Sequence, residues 1–332
     1  MRWSIYNESE GDKTIKDIWD NNRPWPSIVY IETTNICNAH CLCCLNDRCK
    51  KDRGIMTFET FKLICDKIKQ RPGLKIGAMF CFGEPLIDNN LFEKYKYARS
   101  LGIIVEQNVG LNTNVSLLTK EKFKEIIDNT PNITLSFFNV GSEYERLTGG
   151  LNWENSYKNA IEFIKFRDRY KLNYPIYIGC NDVKGNDLSK VKEVFKSYNV
   201  MYARDAECRW GGSVMTGVLD RMIMHPSWRC DGYKGALQVK HDGSCEICAY
   251  DIVGTIQKKG ETYIGNILTD SWETLFSNFI KVFKNNSLCN RCDYFHHAKE
   301  VIKNNFKKPN PLPIDWYNWQ DKYLKENEQY TD

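Results

Sequence analysis

Between residues 27 and about 215, six short β-branched runs alternate with five amphipathic helical stretches. The strand-like runs are Ile28–Thr33, Ile76–Phe82, Ile103–Asn108 leading into Leu111–Asn114, Ile133–Phe138, Ile176–Cys180 and Val200–Ala203. Between them the helical patterns are Thr57–Gln70, Asn90–Leu101, Thr119–Asn129, Asn152–Tyr170 and Asp187–Tyr198. Parallel strands need a long crossover, usually a right-handed helical one. The rhythm therefore predicts an α/β fold with a mostly parallel sheet. Functional side chains on such sheets gather at the C-terminal strand ends. Thr57 reads as a helix N-cap, with Thr60 where a capping box would carry an acid. Thr119 and Asp187 are weaker start signals.

The first strand ends in a polar turn, and three cysteines follow at CxxxCxxC spacing: Cys37, Cys41 and Cys44. Three thiolates can hold three irons of a [4Fe–4S] cube and leave the fourth open to an outside ligand. A compact zinc site more usually pairs its cysteines and keeps a fourth ligand nearby. The second strand leads into Gly83-Glu84-Pro85-Leu86.

This order of strand, cysteine loop, helix, strand and GEP loop resembles the radical S-adenosylmethionine (SAM) superfamily. The GEPL stretch looks like that family's GGEP loop, with Phe82 in place of the first glycine. The resemblance implies a partial (β/α)6 TIM-like barrel. It also implies a cluster on Cys37, Cys41 and Cys44 whose open iron chelates SAM. Cys43 stands where the family often carries a bulky residue.

The same resemblance supplies the expected SAM pocket. Gly83 allows close backbone approach and Glu84 takes the SAM ammonium. Asn112 and Asn114 in LNTN resemble the family's TNG strand end, facing the cofactor. Ser136 resembles the serine that bonds the SAM ribose, and Asn181 is a further ribose candidate. Arg146 is either a fork donor for the SAM carboxylate or a surface arginine of EYERLTGG.

After residue 216 the rhythm changes. Cys230, Gly243 and Cys248, then GNI, then Cys289 and Cys292, resemble the SPASM/twitch extension of radical SAM enzymes. No cysteine follows Cys292, so one auxiliary [4Fe–4S] cluster on Cys230, Cys248, Cys289 and Cys292 is expected, with zinc on the same four as the competing reading. His296 and His297 read as surface residues. Four protein ligands leave no open iron, so the expected role is electron transfer. That favours oxidation of a carbinol carbon, while epimerisation would need a hydrogen-donating thiol. Cys245, Cys208 and Cys180 are the candidates, each also readable as a spare buried thiol.

The expected organisation is an N-terminal extension (1–26), the barrel (27–215), a small α+β auxiliary-cluster domain (216–295) and a helical tail (296–332). Pro24 and Pro26 hold the entry to the first strand extended. A formal net charge of +4 without a Lys/Arg run argues against nucleic acid as the main partner. No run of about 18 apolar residues and no apolar leader is seen, so neither membrane nor secretion is expected. Fourteen cysteines then read as cytoplasmic thiols and metal ligands. A flavodoxin- or ferredoxin-type reductant is implied. The substrate is expected to be a sugar, aminocyclitol or nucleoside. The alternatives are a ribosomal peptide, on which the aromatic tail (Trp316, Tyr317, Trp319, Tyr323) could form a groove, and, in another class, a non-catalytic iron–sulfur or zinc scaffold.

Overall fold

The computed structural model describes residues 25–26, 28–42, 44, 46, 52–105, 109–181, 187–205, 235–248, 251 and 262–285, without the side chains of 180, 181, 203–205 and 283–285. Cys43, Cys208, Cys230, Cys289, Cys292, His296, His297, most of the N-terminal extension and the tail lie outside the described residues, as do the side chains of Cys180 and Asn181.

The chain runs through β1 (Ile28–Ile31), α1 (Phe58–Lys69), β2 (Ile76–Ala78), α2 (Leu91–Ser100), β3 (Leu111–Thr113), α3 (Lys120–Asn129) and β4 (Ile133–Ser136). It continues through α4 (Gly141–Leu147), α5 (Trp153–Tyr170), β5 (Ile176–Asn181), α6 (Leu188–Phe195) and β6 (Met201–Asp205). A second part holds β7 (Ala236–Val239), β8 (Ser244–Glu246), β9 (Tyr263–Asn266) and α7 (Trp272–Asn285). Strands β3 to β6 form one parallel sheet, and β1 pairs parallel with β2. An isolated parallel bridge, Ile76 to Ile104, extends the second strand toward β3. The α/β fold with parallel strands and outer helices is as the sequence predicts.

Strand alternation sorts the two faces. Leu111, Ile133, Leu135, Ile176 and Ile178 are buried in the core beneath the helices. Register places Asn112 opposite Thr134 and Ser136 opposite Gly179 on the other, inner face. On α1 the buried residues Phe61, Ile64, Cys65 and Ile68 follow the helical period. Burial pushes the Cys65 thiol up to about 12, as befits a core thiol. The N-cap expectation holds: Thr57 accepts the Thr60 N–H at 3.0 Å. Asp187 likewise accepts from Ser189 and Lys190, whereas Thr119 makes no side-chain cap bond.

Three details differ from the sequence reading. β2 ends at Ala78, because residues 79–84 leave the ladder to form the GEP loop. Of the third strand-like run, among the described residues Leu111–Thr113 forms the ladder strand and Ile104 makes an isolated bridge to Ile76. Helix α4 was not anticipated, since it buries only Tyr144 and Leu147, too short a pattern to show a period.

The larger surprise is β7. It pairs parallel with β1, Ile28 opposite Ala236 through Ile31 opposite Val239. The sheet order is β2-β1-β7-β8-β9, so this second part extends the barrel's own first strand. The Asp242-Gly243 turn is present as expected between β7 and β8. Asp242 Oδ1 accepts the Ser244 N–H at 2.9 Å, and Gly243 has φ 81°. No helix among the described residues is long and apolar enough to cross a membrane.

Candidate functional site

Three loops meet beyond the C-terminal strand ends. The cysteine loop leaves β1 and is closed by a polar clasp. Asn35 donates to Asp52 O at 2.8 Å and accepts the Gly54 N–H at 2.9 Å. Arg53 Nη1 donates to Asn35 O at 2.7 Å and to Asn46 Oδ1 at 2.8 Å. Asn46 Nδ2 returns to Asn35 O at 3.1 Å. The loop then docks on the end of α4, with His40 N–H on Thr148 O and Leu42 N–H on Leu147 O, each at 3.0 Å. Gly149 allows this approach: a Cβ there would stand 2.4 Å from His40 O. Neither the clasp nor this seat was legible in the sequence.

Cys37, Cys41 and Cys44 are all half-buried on this loop. The Ala39 N–H points to Cys37 Sγ and the Asn46 N–H to Cys44 Sγ, both at 3.4 Å. Asn114 Nδ2 reaches Cys37 Sγ at 3.8 Å. Donors aimed at sulfur favour thiolate, the form that ligates iron. Among the described residues no three His, Cys, Asp or Glu side chains converge on a single metal ion. A cube, which takes one thiolate per iron, spreads its ligands wider than a lone ion does. Three partly exposed thiols on one loop with amide donors to two of them fit a cluster of that kind.

The GEP loop packs directly on the cysteine loop. Gly83 has φ 87°, and a Cβ there would lie 2.6 Å from Thr34 O and 2.9 Å from Ile36 O. The Glu84 N–H then donates to Ile36 O at 2.9 Å. The Glu84 side chain turns inward and is 1% exposed. Its Oε1 accepts from Leu86 N at 3.1 Å and Thr113 Oγ1 at 2.8 Å, and its Oε2 from Asn114 N at 2.7 Å. Burial pushes its pKa up, and these hydrogen bonds oppose the shift. Two carboxylate oxygens offer about four acceptor positions, so one on Oε2 remains for an outside donor such as an ammonium.

Asn114 is the junction of the three loops, also donating to Asn38 Oδ1 at 2.9 Å. Asn112 Oδ1 is buried with no hydrogen-bond partner among the described residues, on the inner face beside Thr134. Ser136 is half-buried at the end of β4, on that same face. Arg146 stands apart from these. Its guanidinium grips Glu143 at 2.9 and 2.5 Å, with the side chain 52% exposed. Of its two readings, the surface arginine describes its place. Asn181 closes β5.

Cys245 lies with Ile31 and Val239 on the outer face, within the hydrophobic core. Burial pushes its thiol pKa far up, so it sits among core residues and away from the inner face. Cys248 is half-buried just past β8. The inner face instead carries a charged group absent from the sequence reading. Lys240 Nζ lies 3.3 Å from Glu32 and 3.7 Å from Glu246, all three buried. Burial works against the Lys240 ammonium, but Glu32, Cys81 and Glu246 more than offset it, and its pKa stands well above the ordinary value.

Residues 31–185 match the family model of the Radical SAM superfamily. No curated protein sequence matches the chain. Among solved structures, SuiB of Streptococcus suis bound to precursor peptide SuiA is similar with a TM-score of 0.56 at 13% identity, covering 88% of this chain and 76% of SuiB. Native anSMEcpe with bound AdoMet has a TM-score of 0.55 at 18% identity, covering 92% and 98%. BtrN in complex with AdoMet and 2-DOIA has a TM-score of 0.50 at 15% identity, covering 82% and 94%. At these identities the likeness is one of fold.

Proposed function

We propose, from the match of residues 31–185 to the Radical SAM superfamily model, that the chain is a radical SAM oxidoreductase or epimerase acting on a small polar substrate such as a sugar, aminocyclitol or nucleoside. Cys37, Cys41 and Cys44 would hold the first [4Fe–4S] cluster, and Cys230, Cys248, Cys289 and Cys292 an auxiliary one. A [4Fe–4S] cluster and SAM held there would supply one-electron reductive chemistry, with methionine as the leaving group, for taking a hydrogen atom from a substrate carbon, and the electron would come from a flavodoxin- or ferredoxin-type donor.

The observation that carries this is the Asn114 junction. One residue joins the cysteine loop, the GEP loop and the third strand end through Cys37, Glu84 and Asn38. Such a junction fixes cluster and cofactor relative to each other, as positioning catalysis requires. In this reading the free acceptor position of Glu84 Oε2 takes the SAM ammonium. Asn112 and Ser136, on the inner face, hydrogen-bond the cofactor's polar groups, with Asn181 beside them at the next strand end. The polar inner face also favours a hydroxyl-rich substrate over an apolar peptide side chain. The test is anaerobic incubation of the reconstituted chain with SAM and dithionite. Formation of 5′-deoxyadenosine, lost when Cys37, Cys41 and Cys44 are replaced by alanine, is the expected result. No 5′-deoxyadenosine from a fully iron-loaded chain would leave a non-catalytic iron–sulfur scaffold.

A further inference from the structure

The Glu84 carboxylate is held by donors from two loops. Leu86 N belongs to the GEP loop, and Thr113 Oγ1 and Asn114 N to the end of β3. A side chain from a third element joins the same two loops. Lys122, in the first turn of α3, sends its Nζ to Leu86 O at 3.0 Å and to Leu117 O, between β3 and α3, at 3.3 Å. The helix has no use for a cation there. Its N-terminal turn carries partial positive charge, which favours carboxylates and disfavours ammonium groups. Lys122 is also half-buried, and burial pulls its pKa down, opposed by Glu84 and Glu121. Two backbone carbonyls could be met by a neutral amide, which costs less to desolvate than an ammonium. The charge therefore calls for a reason of its own, and Glu84 supplies one. Lys122 on α3 and Tyr144 on α4 both act electrostatically on this carboxylate, and burial keeps the Tyr144 phenol neutral. Asp88, at the end of the GEP turn, is taken up by Lys94. The Lys122 ammonium goes to the carbonyls and to neither Glu84 oxygen, so it lends its charge without filling the free acceptor position on Oε2.

Building on the radical SAM reading, we propose that Lys122 is a positioning residue for the SAM ammonium site: it fixes the two loops around the Glu84 carboxylate and keeps that carboxylate charged. A buried carboxyl without a nearby cation takes up a proton, and then has no charge with which to hold an ammonium. Lys122 acts through Glu84 and touches neither cofactor nor substrate.

The test is calorimetric titration of the anaerobically reconstituted full chain with SAM over a range of pH, in wild type, Lys122→Met and Lys122→Arg. Lys122→Met is expected to weaken SAM binding about tenfold near neutral pH and to move the acid limb of the binding profile up by about one pH unit. Lys122→Arg keeps the charge and should return the limb toward wild type. A limb that stays in place in Lys122→Met overturns the proposal even if the melting temperature falls, since Lys122 would then be a structural staple alone. A limb that arginine does not return overturns it too. A second arm uses the full chain without iron or SAM. Without the cation, folded Glu84 keeps its proton to a higher pH, so the stability of wild type over Lys122→Met should grow as pH rises from about 4.5. The growth should vanish when both chains also carry Glu84→Gln. A flat difference in the chains that retain Glu84 overturns the proposal. 5′-Deoxyadenosine formation is measured on the reconstituted wild type. Its absence counts against the radical SAM reading, and the iron-free arm then decides by itself whether Lys122 keeps Glu84 charged.

Discussion

Glu84 Oε2 accepts the backbone N–H of Asn114 at 2.7 Å, thirty positions along the chain. This bond ties the GEP loop to the end of β3, and the same Asn114 turns its side chain to Cys37. Replacing Glu84 by Gln keeps the shape but leaves one of the three donors facing an amide N–H. The expected cost is about 1–3 kcal/mol, measured by urea unfolding, together with weaker SAM binding.

The same residue predicts a pH dependence. Burial raises the Glu84 pKa in the folded chain above the ordinary carboxylate value. The folded chain then keeps a proton that the unfolded chain has released. Stability from this group is therefore full below the unfolded pKa and declines as pH rises toward the folded one. The stability of wild type relative to Glu84→Gln should fall as pH is raised from about 4.5. A difference that stays flat or grows with pH in thermal melts would contradict this.

Gly83→Ala places a carbon against Thr34 O and Ile36 O at a φ of 87°. The left-handed backbone alone costs about 1–3 kcal/mol, and the overlap pushes the two loops apart. Lower melting temperature and poorer cluster retention in gel filtration should appear together.

Arg53 lies outside the CxxxCxxC motif yet closes its loop through Asn35 and Asn46. Arg53→Ala should weaken iron loading about 10- to 100-fold, the range for groups that orient metal ligands. Titration with iron and sulfide reads this directly. Arg53→Lys should not restore it, since one ammonium cannot replace a planar fork that serves both residues.

For the auxiliary cluster, alanine at both Cys289 and Cys292 should lower the reconstituted chain from about eight irons to about four. About four irons in both proteins would make the C-terminal cysteines zinc ligands or structural thiols.

Much of the barrel was legible because it repeats a local signal. Thr57 announces a helix through its own bond to Thr60, and Leu111, Ile133 and Ile178 announce strands through alternation. The cysteine and GEP motifs were legible for a similar reason: each is a short run with one backbone task. What escaped notice is held by residues far apart in sequence. Glu32 and Lys240 are 208 positions apart, and neither has a neighbour in sequence that hints at the other. The parallel pairing of β7 with β1 was hidden too, because a short strand before a hairpin turn carries no mark of a distant third partner. Arg146 had two readings in the sequence, a fork donor or a surface arginine, and its pairing with Glu143 three residues earlier fits the second.

The β1–β7 pairing also orders events during synthesis. β1 presents the cysteines, yet one of its two edges is completed only by Ala236–Val239. A nascent chain that has released the three cysteines therefore still has the strand beneath them bare on one side for some two hundred residues of further elongation. Closure over that separation is slow as well as late. Iron delivered before it would meet a loop hanging from a half-supported strand. The cluster's final seat is thus a property of the finished polypeptide, and the far C-terminal half acts as the keystone for chemistry encoded near the start.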